Sequence, residues 1–190
     1  MITDVIKKLK PFLTSSNKEM AKKTAEAISR LQAKIFFAKM YNDYDSLNEE
    51  MKTKLLTELK NISSATCIDF ILKSLVDKSP YVRALAVRAA AELREPKLIE
   101  KIFPLTKDED PVVRKLSYQF MALFPLPKIS LVLNNLVNKE SDEEALVALI
   151  ETLGEIGNSS SLEILEKVLE SLPSERVAIA IVEAIGKLKI

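Results

Sequence analysis

Few side chains in this sequence could carry out chemistry, and none of them stands in a catalytic arrangement. The chain contains no histidine, which excludes Ser-His and Cys-His nucleophile pairs and every metal site that needs an imidazole. Cys67 opens a predicted helix, but the apolar residues after it favour buried packing over a reactive thiolate. Gly154 and Gly157 lack the Lys-Ser/Thr of a phosphate-binding loop. We therefore predict no enzymatic activity, no metal site and no cofactor.

The acidic run at residues 140–144 is the one cluster that could bind a cation. Its sequence is Glu-Ser-Asp-Glu-Glu, and it comes directly before a predicted amphipathic helix. Acidic residues in the first turn of a helix complement the positive end of the helix dipole. We favour this second interpretation.

The composition indicates an all-α protein. Apolar residues make up 47% of the chain, and it has only 3 glycines, fewer than the turns of a β-rich fold usually need. The single cysteine allows no intrachain disulfide, which fits a reducing compartment. No segment approaches the roughly 20 apolar residues of a membrane span. We therefore expect a cytoplasmic protein with no membrane partner.

The net charge of +1 conceals an uneven distribution. Residues 1–137 contain 23 basic and 16 acidic residues, whereas residues 138–190 contain 5 basic and 11 acidic residues. The small total gives no overall electrostatic attraction to nucleic acid. The basic first part of the chain favours an acidic partner.

A motif repeats along the chain with a period of 31 or 32 residues. Asp77-Lys-Ser-Pro-Tyr-Val-Arg83 recurs as Asp108-Glu-Asp-Pro-Val-Val-Arg114. Each motif opens a stretch with apolar residues spaced as on one face of an amphipathic helix. Four such stretches begin at Val82, Val113, Ala145 and Val177. Shorter apolar helices are predicted between them, at about 65–76, 97–106, 128–138 and 161–172.

Each unit is therefore predicted to be a pair of antiparallel helices that stacks on its neighbours to bury both faces. The first 62 residues fit the pattern less well, and we interpret residues 1–62 as irregular capping helices at about 3–13, 17–41 and 46–60. Four helix pairs occupy residues 63–190 and continue from the cap as a single domain. The predicted fold class is an all-α, right-handed α-α superhelix.

Local motifs predict where several helices begin and end. Four Ser-x-x-Glu sequences fit the capping box, and their serines are Ser16, Ser46, Ser141 and Ser160. Pro80 and Pro111 fit the first turn of a helix, where a missing N–H is tolerated. Gly157 suits a helix end with a left-handed residue.

The Asp-x-x-Pro-x-Val-Arg motif, followed by an Ala-rich helix and Glu95-Pro96, resembles the short HEAT-like repeats of the phycobilisome-lyase type. The resemblance covers roughly residues 65–190 and implies an α-solenoid in which Asp and Arg side chains form a hydrogen-bonded ladder along the stack. It assigns that role to Asp77, Arg83, Asp108 and Arg114. The third unit departs from the motif, with Ala145 at one of the paired positions.

The second helices of the pairs are the best candidate for a binding surface, because this row lines the concave face of such an architecture. Removing the apolar stripe leaves Arg88, Lys115, Tyr118 and Gln119 as candidate partner contacts, since Arg and Tyr are favoured at interfaces. The alternative is an ordinary solvated helix face.

An aromatic cluster near residue 40 also has two interpretations. Its members are Phe36, Phe37, Tyr41 and Tyr44. They pack the cap against the first full repeat, which we favour, or they form a docking patch for a partner.

The last predicted helix lacks a polar helix after it to cover its outer face. The exposed apolar residues expected there are Ile179, Val182 and Ile190. Either this end pairs with a second copy, or the chain continues in a longer protein.

We predict a protein-interaction scaffold, because solenoids present extended surfaces and the sequence contains no catalytic arrangement of side chains. Nucleic-acid binding through the basic helices of residues 83–115 is an alternative that we do not favour. An accessory role of the phycobilin-lyase type is a further alternative that the resemblance implies.

Overall fold

The computed structural model describes residues 1–59 and 65–188, and within them the regular structure is helical with no strand. The α-helices there are α1 Ile2–Leu9, α2 Lys18–Asn42, α3 Glu49–Glu58, α4 Ala65–Ser74, α5 Pro80–Leu93, α6 Ile99–Ile102, α7 Pro111–Ala122, α8 Pro127–Asn134, α9 Glu143–Ile156, α10 Ser159–Glu170 and α11 Glu175–Lys187. Contacts divide the chain into two compact units, Met1–Ser74 and Leu75–Ile190. The predicted boundary at residues 62/63 lies outside the described residues and stays a prediction.

The first unit is organised around the 25-residue helix α2, which packs against α1 and α4. No glycine or proline interrupts α2, so nothing in its sequence breaks the helix. Its core is aromatic: the rings of Phe37 and Tyr44 both meet Phe70 edge-on, with centroids 6.0 and 5.3 Å from it. Half of the predicted aromatic cluster is therefore core, whereas Phe36 and Tyr41 are exposed.

The second unit has two layers of helices. Helices α5, α7, α9 and α11 each pack on the next and form one layer. Helices α8 and α10 pack on each other. Helix α8 also packs on α9, and α10 also packs on α11. The apolar stripes of both layers meet in the interior, where residues such as Val82, Val113, Leu149 and Ile181 are fully buried. This is the stacked arrangement of an all-α helical solenoid.

The helices of the first layer start in the same register. A side-chain oxygen of the residue before each helix accepts a hydrogen bond from the backbone amide three residues later. The amides are those of Val82, Val113, Ala145 and Val177, and their acceptors are Ser79, Asp110, Asp142 and Ser174. These four residues are the predicted starts of the repeated stretches, so they define equivalent positions in the four helices.

The predicted helix at 97–106 is broken. Only Ile99–Ile102 is α-helical, with 3₁₀ turns before and after it. Pro96 and Pro104 lie in those turns, and a proline removes a backbone donor and blocks a continuous helix. Apolar spacing alone did not reveal this interruption.

The four predicted capping boxes are wrong. The residues that cap these helices are Asn17, Asn48, Asp142 and Asn158. An Asn or Asp oxygen is at least as good an acceptor for the free amides as a serine hydroxyl, and here it stands one or two residues from the predicted serine. Helix α10 does have a capping box, formed by Asn158 and Ser161 rather than by Ser160.

Gly157 is not the left-handed helix end that we predicted. Its φ of −73° is ordinary, and the left-handed residues are Arg94 and Leu172, with φ of 49° and 54°. Glycine is needed at 157 for space, because a Cβ there would collide with the carbonyl oxygen of Leu153 and approach Ser161 Oγ to 2.8 Å.

Candidate interaction surfaces

Arg83 joins the turn before α5 to the turn before α7. Its Nε and Nη2 donate to the two carboxylate oxygens of Asp108 at 2.8 and 2.7 Å. Its Nη1 donates to the backbone carbonyls of Asp77 and Lys78 at 2.9 and 3.2 Å. The hydrogen bond to Asp108 raises the pKa of the guanidinium, against the opposing effect of burial. A bidentate pair of this kind fixes direction as well as distance.

Arg114 repeats this geometry one unit later, with a glutamate as its partner. Its Nε and Nη2 donate to Glu140 at 2.8 and 2.6 Å, and its Nη1 donates to the carbonyls of Asp108 and Glu109. Burial acts to raise the pKa of the Glu140 carboxyl, but the hydrogen bonds from Arg114 and the Asp142 amide outweigh it and hold that pKa below its ordinary value.

Sequence reasoning missed Glu140. It follows Asp108 by 32 residues, whereas Asp108 follows Asp77 by 31, so a search for Asp at a fixed spacing does not find it. The carboxylates of Asp77, Asp108 and Glu140 each accept a hydrogen bond from the backbone amide two residues later. The donors are the amides of Ser79, Asp110 and Asp142. That shared contact identifies Glu140 as the third acidic member.

The series of Arg–carboxylate pairs ends with Arg114 and Glu140, because the next unit has Leu146 at the position of the arginine. The amides of Arg83, Arg114 and Leu146 each donate to the carbonyl of the capping residue four positions earlier. Leu146 is thus the equivalent of the two arginines, and the prediction that Ala145 takes that place is wrong by one residue. The equivalent of Glu140 in the fourth unit is Leu172. At the next step along the stack, leucine therefore replaces both the arginine and the carboxylate of the pair.

Tyr118 is not available to a partner, which contradicts our prediction. Its side chain is buried, 1% exposed, and its hydroxyl lies 3.0 Å from the Thr106 carbonyl oxygen and 2.9 Å from Glu140 Oε2. Burial and the hydrogen bond to Glu140 both raise the pKa of the phenol. Its equivalents in α5 and α9, Val87 and Ile150, are each 0% exposed, so this position belongs to the contact between successive helices.

One exposed polar residue from each helix of the first layer occupies a single equivalent position. We call these four residues the polar row: Arg88 on α5, Gln119 on α7, Glu151 on α9 and Glu183 on α11. Among the residues that the structure describes, their side chains form no hydrogen bond or ion pair. The charge along the row changes from positive through neutral to negative.

Lys115 lies beside the polar row but is already engaged. Its Nζ is 2.7 Å from Glu144 Oε2, and Glu144 is also 3.6 Å from Arg176. The hydrogen bond from Lys115 lowers the pKa of the Glu144 carboxyl. Lys115 can therefore meet a partner only by sharing or losing this ion pair.

A shallow groove of about 250 Å³ runs between α7, α9 and α11 next to the polar row. Ala122 and Ala148 contribute small side chains to it, and Glu151, Glu155 and Lys187 contribute charges. Lys187 Nζ bonds Glu155 at 3.0 Å. That bond raises the pKa of Lys187, and the charges of Glu183 and Glu151 act in the same direction. The groove therefore combines small side chains, which leave room for a partner, with carboxylates that make its surroundings mainly negative.

Three of the basic residues of 83–115 are held in ion pairs. Arg83 and Arg114 are held in the carboxylate pairs, and Lys115 pairs with Glu144. Arg88 belongs to the polar row, whereas Lys97 and Lys101 lie on the interrupted segment between α5 and α7. A contiguous phosphate-binding stripe needs several free cations side by side.

The remaining chemical candidates take structural positions. Cys67 is fully buried. In the acidic run, Glu140 binds Arg114, Asp142 caps α9 and Glu144 bonds Lys115. Among the described residues, no group of three acids or thiols could hold a metal ion. No helix in the described ranges 1–59 and 65–188 is long and apolar enough to cross a bilayer.

The outer face of α11 is apolar and open. Ile179 and Val182 are 53% and 61% exposed, as the sequence predicts. Ile190, the third residue predicted there, lies outside the described residues.

A family model described as HEAT repeats matches the chain twice, over residues 38–122 and residues 68–143. Together the matches cover residues 38–143, more than half of the chain. No curated protein is significantly similar to it.

Proposed function

The chain belongs to the HEAT-repeat family, and from that premise we propose that it is a non-catalytic scaffold that binds a protein partner along the polar row. Proteins of this kind stack helix pairs to present an extended binding surface rather than an enclosed site. The lack of histidine supports a role without catalysis. The proposal includes a cytoplasmic location, since the one cysteine can form no intrachain disulfide.

The observation that carries the proposal is the polar row itself. Four exposed side chains recur at one equivalent position, and none of them is used by the described part of the chain. Complementary charge selects a partner and its orientation more than it sets raw affinity. The row therefore favours a dipolar partner segment, with acidic residues over Arg88 and basic residues over Glu151 and Glu183.

An entirely acidic partner, which the overall charge distribution favours, fits only the first half of this row. Such a partner would face Arg88 and Lys115, but it would be repelled where Glu151 and Glu183 lie. The partner that we propose is thus acidic at one end only.

Affinity capture with charge-reversal variants tests the proposal. The wild-type chain, the Arg88→Glu/Glu151→Arg variant and a control variant are immobilised, and captured proteins are identified by mass spectrometry. The matched control is Lys128→Glu/Glu163→Arg, which makes the same charge changes at exposed positions of α8 and α10. We expect a partner that the wild type and the control retain and the polar-row variant loses. Equal retention by all three would place the binding surface elsewhere.

No observation favours the two other candidate functions. Nucleic-acid binding is checked by a gel shift at low salt, where a basic surface retards DNA or RNA. A phycobilin-lyase-type role is checked by added absorbance on mixing with a linear tetrapyrrole.

A further inference from the structure

The outer face of α11 is the same surface that every earlier helix of its layer buries against the next helix. Val182 occupies the position of Val87, Tyr118 and Ile150. Those three side chains are 0%, 1% and 0% exposed, whereas Val182 is 61% exposed. A solitary exposed apolar residue would need no explanation. A complete contact face left open in the register of a repeat does need one.

Two further positions show the same relationship. Val147 and Ile150 of α9 pack in the apolar cluster that includes Val177 and Ala180 of α11, and the equivalent of Val147 in α11 is Ile179. A Cβ on Gly154 would lie 2.8 Å from Ala184 Cα, whereas a Cβ on the equivalent Gly186 would meet nothing within 4 Å. Helix α11 thus offers both the apolar side chains and the glycine at which a neighbouring helix approaches closely.

The charges beside this face identify the occupant. Arg176, Glu183 and Lys187 lie along one edge of it, and Glu175 lies near its start. If two α11 helices were parallel about a two-fold axis, the charged edge of one copy would face the opposite edge of the other, and these charges would not meet one another. If they are antiparallel about a two-fold axis near residues 180–181, Ile179 faces the partner copy's Val182. Arg176 then lies beside the other copy's Glu183, and Glu175 lies beside the other copy's Lys187, because side chains at similar heights meet across the pair.

We propose that a second copy of this chain covers the α11 face, as an antiparallel two-fold pair with Ile179 and Val182 at its centre. The pair is isologous, so each charge contact occurs twice. This pairing does not depend on the proposed partner of the polar row.

Light scattering coupled to size-exclusion chromatography tests the pairing on the full chain. The wild type is expected at twice the mass of one chain, and Val182→Glu is expected at the mass of a single chain. Because Val182 is exposed, this variant is expected to keep its helical circular dichroism. The matched control is Val112→Glu, at an exposed valine of α7, which should leave the dimer intact.

Charge exchange separates this register from other modes of association. Arg176→Glu and Glu183→Arg should each weaken the dimer, because each places like charges side by side. The double variant restores opposite charges at both contacts and should regain the dimer. A wild type that is monomeric at every concentration, an open-ended oligomer, a dimer unaffected by Val182→Glu, or a double variant weaker than both single variants would each overturn the proposal.

Discussion

Arg114 and Glu140 form a two-pronged ion pair across 26 residues of sequence, with nitrogen–oxygen distances of 2.6 and 2.8 Å. The Glu140 side chain is almost fully buried in this pair. A buried charge that loses its partner keeps its desolvation cost without compensation, so removing one member destabilises more than the pair contributed.

Arg114→Ala is therefore expected to lower the free energy of unfolding by about 3 kcal/mol. Urea denaturation followed by circular dichroism measures this. Lys139→Ala, at an exposed lysine one residue before Glu140, is the control and should change stability by less than about 0.5 kcal/mol. Similar losses in the two variants would show that the ion pair does not stabilise the fold.

The lowered pKa of Glu140 makes stability depend on pH in a defined window. A carboxyl with a depressed folded-state pKa contributes fully above its unfolded-state value of about 4.3, and the contribution is lost as pH falls through the folded value. Wild type should exceed Glu140→Gln in stability at pH 7, and the gap should shrink in acid. Urea midpoints measured from pH 7 to pH 3 check this. A gap that is constant across that range contradicts it.

Tyr118→Phe is expected to cost about 1–2 kcal/mol, because it leaves the Thr106 carbonyl and one Glu140 oxygen without the hydroxyl. The same variant tests the raised pKa of this phenol. Ultraviolet titration of the wild type should show a late-ionising tyrosine that the variant lacks. If the titration curves of the two proteins differ in their early part instead, Tyr118 is not the buried phenol.

Gly154 and Gly186 occupy equivalent positions but should respond in opposite directions to alanine. Gly154→Ala places a Cβ 2.8 Å from Ala184 Cα and should destabilise by about 1–3 kcal/mol. Gly186→Ala meets nothing within 4 Å and should stabilise by about 0.5–1 kcal/mol. Both are compared by urea denaturation in the Val182→Glu background, where association does not contribute. Equal effects would show that α9 and α11 do not approach closely at Gly154.

The amino-acid sequence by itself determined the helical class, the 31- and 32-residue period and the starts of the four repeated helices. These follow from local patterns, because apolar spacing and the residues at a helix start act within a few turns. The first-layer register from Val82 to Val177 and the open apolar residues on α11 were within reach of that reasoning. The HEAT-repeat family was indicated by the resemblance of the Asp-x-x-Pro-x-Val-Arg motif.

Only the tertiary structure decided which of the side chains predicted to be exposed are buried or paired. Tyr118 appears free on a single helix, but stacking α7 against its neighbours buries it, and stacking is a property of pairs of helices. Glu140 stands one residue later in the repeat than the motif predicts, and only the packed structure shows that its carboxylate meets Arg114. Local sequence indicates which face of a helix is apolar, but only the packed structure shows which of those faces are covered and which charges are already paired.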